Sequence, residues 1–229
     1  MSKMNGHIEI KNEIPGFLVI DTPGHESFTN LRSRGSSLCD IAILVVDIMH
    51  ALEPQTKESI QLLQQKKCPF IIALNKIDRL FEWVKKDYDN SQDALGRQKG
   101  NVMDEFKQRT QQTILQLNEL GFNVCLYWEN ENVEEFLSLV PTSAITGEGL
   151  PDLMTYLIKM CQERIPKQLQ VRTDVFDCTV LEVKVIEGLG TTIDVVLVNG
   201  VLKVADKIVL QGMNGAIVTQ VRALLTPHP

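Results

Sequence analysis

FIIALNKID, residues 70–78, sets an apolar run, Phe70 to Leu74, directly before Asn75, Lys76 and Asp78. A short apolar run bounded by polar residues is the pattern of a strand buried on both faces of a parallel sheet. Residues at the carboxyl end of such a strand face the ligand crevice of an open α/β sheet. Outward from it, Phe17 to Asp21, Ile41 to Asp47 and Leu137 to Thr142 read as further strands. Between them, Thr56 to Lys67 sets Ile60, Leu63 and Lys67 at helical spacing, and Asp104 to Leu120 does the same with Phe106, Thr110, Ile114 and Leu117 before Gly121. Leu150 to Ile165 repeats the pattern with Leu153, Met154, Leu157, Ile158 and Cys161. Strands alternating with helices predict a parallel sheet covered by helices.

Arg79 to Val102 is polar and charged, contains Gly96 and Gly100, and reads as a surface insertion with little core of its own. After Pro166 the texture changes to β-branched alternation, DVFDCTVLEVKVIE, TTIDVVLVNGVLKVADKIVL and AIVTQVRALL, broken by glycines. Asn199-Gly200 between two apolar runs predicts a two-residue hairpin turn, since both positions tolerate positive φ. The expected organisation is an α/β domain over residues 1–167 and a small all-β domain over 168–229.

Composition bounds the function. The chain has 229 residues, 44% hydrophobic and 23% charged, as in an ordinary globular protein. The run Ile41 to Val46 is far too short to span a bilayer, and no signal pattern opens the chain, so a cytoplasmic protein with no membrane partner is expected. Five scattered cysteines without a C-x-x-C pair suggest neither a disulfide framework nor a zinc site, and most are expected to be buried. A net charge of −6 gives no diffuse attraction to a polyanion; no DNA partner is expected, and any RNA contact must be local.

The chemistry lies at the strand ends. A carboxylate at Asp78 can accept two hydrogen bonds from the N1–H and 2-amino edge of guanine, an edge adenine does not offer. Lys76 can lay its stem along a base and Asn75 can tie neighbouring loops together. Taken alone, a polar loop explains these letters as well. FLVIDTPGH, residues 17–25, ends a candidate strand with Asp21 and continues through Pro23 and Gly24 to His25. In a nucleoside triphosphatase an acidic residue here holds Mg²⁺ through water, and the glycine lets its N–H approach the γ-phosphate. PTSAITGEG places Ser143 and Ala144 after the run Leu137 to Thr142, where a backbone N–H can meet guanine O6. Each loop follows a separate strand, in the order a GTPase requires.

At this point DTPGHESFTNLRSRGSSLCDIAILVVDIMHALEPQT followed by NKIDR resembles the initiation factor 5B and initiation factor 2 branch of the translational GTPases. The continuation ESF, with Arg32, Arg34 and Gly35, resembles that branch rather than the elongation factors, and GLGTTIDVVLVNGVLKVADKIVL is similar to the start of its β-barrel second domain. The resemblance implies GTP and Mg²⁺ as ligands, and the ribosome and initiator tRNA complex as partners. It gives His25 the placing of the attacking water when the large ribosomal subunit docks. Arg32 and Arg34 read either as catalytic arginines or as exposed helix-face charges. His7, His50 and His228 match nothing and are expected on the surface.

The sequence departs from that family in two respects. A phosphate-binding loop, G-x-x-x-x-G-K-[ST], cradles phosphates with backbone N–H groups and a lysine, yet no glycine here precedes a lysine. A first-switch threonine has no candidate. The expectation is an incomplete P-loop GTPase-type sheet, truncated at both ends and not competent for hydrolysis by itself, followed by a partial β-barrel. Two functions follow: a piece of an initiation GTPase that promotes ribosomal subunit joining, or a non-catalytic, degenerate paralogue acting as a ribosome- or factor-binding module.

Overall fold

Four parallel strands form the sheet of the α/β part of the chain: β1 (Ala42–Asp47), β2 (Phe70–Asn75), β3 (Val124–Leu126) and β4 (Leu137–Pro141), in spatial order β1-β2-β4-β3. The computed structural model describes residues 14, 16–22, 38–164, 169, 172 and 174–226. The chain divides into two units, Met1–Leu169 and Gln170–Pro229. In the first, the helices are α1 (Pro54–Lys66), α2 (Ser91–Gly96), α3 (Gly100–Glu119) and α4 (Leu150–Arg164).

Alternation along the central strand sorts the core into two layers. Phe70, Ile72 and Leu74 face a cluster with Leu44, Val46, Ile60, Leu63, Phe106 and Leu117, whereas Ile71 and Ala73 face Val140, Leu153, Leu157 and Cys161 on the other side. Each fully buried Leu, Ile or Val contributes about 1.5–3 kcal/mol, so this double burial fixes β2 as the rigid centre. α1 begins two residues earlier than its apolar period suggests, with Pro54 at its first turn, where the missing N–H costs nothing. On α4, Met154 faces outward, and Tyr156 and Met160 take core positions that the sequence reading left unassigned. Of the cysteines, Cys68 and Cys161 are buried and the other three are half-buried, fewer than expected.

Phe17 to Asp21 is not a strand. Leu18 is 74% and Val19 84% exposed, and among the described residues no sheet partner lies beside them. β propensity is expressed only against a neighbouring ladder, and among the described residues β1 pairs in the sheet with β2 alone. On β1, Ile43 and Val45, in register with Ile71 and Ala73 and so on the same face of the sheet, are exposed.

The polar stretch after Arg79 is also better anchored than its composition suggests. Leu80, Trp83, Ala94, Leu95 and Val102 all join the core. Asn90 caps α2 by accepting from the Asp93 N–H at 2.8 Å, and Asp152 on α4 accepts from both the N–H and the hydroxyl of Ser91. These few apolar residues have no regular period, so sequence patterning passes over them.

The second unit holds β5 (Asp177–Ile186) paired antiparallel with β6 (Gly190–Asn199), and β7 (Lys207–Gly212) paired antiparallel with β8 (Gly215–Gln220). The four strands form two separate pairs, with turns at residues 187–189 and 213–214. Asn199-Gly200 is therefore not a hairpin turn. Instead, the Asn199 side chain accepts from Arg172 N at 2.8 Å and Gly200 N–H donates to Arg172 O at 2.9 Å. Gly200 has φ +93°, and a Cβ there would come within 2.9 Å of Val175 O. The permissive backbone serves close chain approach here.

Candidate functional site

The loop after β2 turns sharply at Lys76, which adopts the left-handed conformation (φ 69°) and leads into a 3-10 turn over Ile77–Arg79. Buried Ile77 sends its N–H to Thr142 O at 3.3 Å, and Thr142 N–H donates to Leu74 O at 2.8 Å. The β2–β4 ladder thus continues past the strands and draws the two following loops together. Across that seam Ser143 Oγ donates to Asp78 Oδ1 at 2.6 Å, and Ala144 N–H donates to Asn75 Oδ1 at 3.0 Å. Four residues singled out from the sequence, Asn75, Asp78, Ser143 and Ala144, therefore meet at one sheet end. The Ala144 N–H, read from the sequence as a partner for guanine O6, is held by Asn75 in this arrangement.

Asp78 is 9% exposed, with one oxygen bound by Ser143. Among the described residues no hydrogen bond reaches its Oδ2, which leaves an acceptor of the kind the guanine edge requires. Lys76 points the other way. Its ammonium donates to Asp47 Oδ2 at 2.7 Å, so the head is fixed at the end of β1.

Asp47, at the end of β1 and in register with Asn75, was not singled out by the sequence reading. Burial pushes its carboxyl up, but donation from Lys76, from Met49 N–H at 2.8 Å and from His50 outweighs this and holds it below the ordinary aspartate value. His50 is exposed, as expected, yet its Nδ1 lies 3.0 Å from Asp47 Oδ2. These residues, with Glu53, Thr56, Asn75 and Lys76, line a shallow cleft of about 260 Å³.

Glu148 also escaped the sequence reading. Its side chain is 0% exposed and accepts from Trp83 Nε1 at 3.1 Å, Lys86 N–H at 3.1 Å and Thr146 Oγ1 at 2.7 Å. A signal existed in GEGL, where one acidic residue stands between two glycines in an otherwise uncharged loop.

Asp21 is exposed and lies outside any strand; Gly24 and His25, with Arg32, Arg34, His7 and His228, fall outside the described residues. Asp21 by itself is no donor set for Mg²⁺, and the described residues contain no group of three His, Cys, Asp or Glu able to hold a metal ion.

A family model for the elongation factor Tu GTP binding domain matches residues 1–163. The chain belongs to this family. As a member of the elongation factor Tu-type GTP-binding domains, it has a guanine nucleotide as its expected class of ligand. This GTP-binding domain chain is 59% identical over 221 residues to eukaryotic translation initiation factor 5B of Schizosaccharomyces pombe, covering 96% of the chain and 20% of that relative. The corresponding factor of Saccharomyces cerevisiae is 57% identical over 217 residues, covering 95% of the chain and 22% of the relative. The crystal structure of GDP-bound aIF5B from Aeropyrum pernix matches with a TM-score of 0.89 at 43% identity, over 96% of this chain and 37% of that one. The likeness to the initiation factor 5B branch drawn from the sequence is thus borne out, and so is the α/β GTPase fold. The chain spans about a fifth of the length of the curated relatives it matches. Among the described residues no helix is long and apolar enough to cross a membrane.

Proposed function

We propose that this chain is the guanine-recognising part of a translation initiation GTPase of the 5B type. The observation that carries the reading is the junction of Asp78, Ser143, Ala144 and Asn75 at the carboxyl ends of β2 and β4. Asp78 reads the N1–H and 2-amino groups of guanine, Ser143 holds Asp78, Asn75 locks the two loops, and the Lys76 stem lies along the base. The Ala144 N–H reaches guanine O6 by exchanging its bond with Asn75. Within the larger molecule, Asp21 would sit at Mg²⁺ through water, Gly24 would meet the γ-phosphate and His25 would position the attacking water.

The remaining steps belong to the larger molecule: GTP hydrolysis, ribosomal subunit joining, and contact with the ribosome and initiator tRNA complex in the cytoplasm. The domain reading is a GTPase domain over 1–167 followed by the beginning of a β-barrel domain over 168–229. Without a Gly-Lys pair among these residues, phosphate cradling is not supplied here, and the chain alone binds guanine nucleotides weakly and does not hydrolyse GTP. Titration with GTP, GDP and ATP tests this. Weak binding that favours both guanine nucleotides over ATP is the expected result. Equal binding of ATP removes the base-reading assignment, and tight, Mg²⁺-dependent GTP binding removes the statement about phosphate.

A further inference from the structure

Glu148 is an acidic side chain without exposure to water, and burying a carboxylate is costly unless donors satisfy it. Those donors come from two separate stretches. Trp83 Nε1 and Lys86 N–H belong to the segment after the 3-10 turn; beyond α2 in the same segment the Arg97 guanidinium, its Nη2 3.7 Å from Oε1, adds an opposite charge and not a hydrogen bond. Thr146 Oγ1 belongs to the loop that carries Ser143 and Ala144. The backbone of Glu148 acts in the same place, since its carbonyl accepts the Ser143 N–H at 2.8 Å. Thr146 N–H in turn donates to Ser143 Oγ at 3.2 Å, and that hydroxyl donates to Asp78. A continuous hydrogen-bonded chain therefore runs from Trp83 through Glu148, Thr146 and Ser143 to Asp78.

An apolar residue in this pocket would avoid the desolvation cost, so the carboxylate is there for geometry. We propose that Glu148 is a positioning residue for guanine selection: it clamps residues 83–97 onto the loop at 143–147 and so fixes the Ser143 hydroxyl that aims Asp78 at the base. The inference rests on the guanine-binding reading. No contact between Glu148 and the nucleotide is required, and its effect reaches the base only through Thr146 and Ser143.

The test compares GDP with ADP on the 229-residue chain by nuclear magnetic resonance titration, following the Ala144 amide and the Trp83 indole proton. Glu148→Gln keeps the size of the side chain but supplies a single acceptor oxygen. It should lower the GDP-to-ADP affinity ratio about tenfold, with ADP binding unchanged. Trp83→Phe, which removes one donor and leaves the carboxylate, should lower the ratio about threefold and serves if Glu148→Gln does not fold. A purely structural role weakens both nucleotides alike, and an unchanged ratio in a folded variant overturns the inference alone. Absence of any GDP preference in the unsubstituted chain overturns the guanine reading and the inference with it.

Discussion

Ser143 donates its hydroxyl to Asp78 at 2.6 Å, although the two residues lie 65 positions apart in the chain. The bond occupies Oδ1 and leaves Oδ2 without a hydrogen bond among the described residues. Asp78→Asn would present an amide donor toward the 2-amino donor of guanine. GDP affinity should then fall by about tenfold to a hundredfold, or roughly 1.4–3 kcal/mol. Xanthosine diphosphate, with a carbonyl at that ring position, should bind better to the variant than to the parent chain. Calorimetric titration of both nucleotides checks this, and retention of the parent GDP affinity would remove Asp78 from base reading.

Gly149 and Gly147 both have positive φ, but their surroundings differ. A Cβ at Gly149 would stand 1.9 Å from Pro141 O, a backbone atom held by the β2–β4 ladder. At Gly147 it would meet the Tyr88 ring at 2.6 Å, and that ring is exposed and free to swing. Gly147→Ala should cost about 1–2 kcal/mol for the left-handed backbone alone. Gly149→Ala adds displacement of a strand end and should cost at least about 3 kcal/mol. Urea unfolding midpoints of the two variants test the order, which equal losses would contradict.

Asp47 titrates below the ordinary aspartate range in the folded chain because donation from Lys76, Met49 N–H and His50 outweighs its burial. A depressed folded value means that the contribution is complete above the unfolded value, about 3.9, and is lost as pH falls through the folded value. Lys76→Met should raise the Asp47 titration midpoint and shrink the stability lost on going from neutral pH to about pH 3. Carbon-13 titration of the Asp47 carboxyl reads the first effect directly. A midpoint unmoved by the substitution would show that Lys76 does not set it.

Ile72 is fully buried in the central strand, whereas Leu18 lies in a stretch the sequence suggests is a strand and the structure leaves unpaired. Ile72→Ala should destabilise the first unit by about 2–5 kcal/mol. Leu18→Ala should change stability by no more than about 0.5 kcal/mol. Thermal unfolding of the two variants distinguishes them, and a large loss at Leu18 would place that residue in a packed environment.

The buried strand Phe70–Asn75, the three long helices, the polar loops that follow β2 and β4, and the family resemblance are all legible in the amino-acid order. Those features are local: burial on both faces, helical period and turn chemistry each leave a mark within a few residues. The same order also picks out Asn75, Asp78, Ser143 and Ala144 by type and position. That Ser143 grips Asp78, that Lys76 reaches Asp47 and that Trp83 docks on Glu148 comes from long-range packing. The same holds for the failures. Phe17 to Asp21 has strand-forming residues but no neighbouring ladder among the described residues, and Asn199-Gly200 has hairpin residues but is used where Arg172 and Val175 approach. A side chain's type limits which bonds it can make, whereas its partner is set by which distant segment the fold brings within about 3 Å, and no local period encodes that distance.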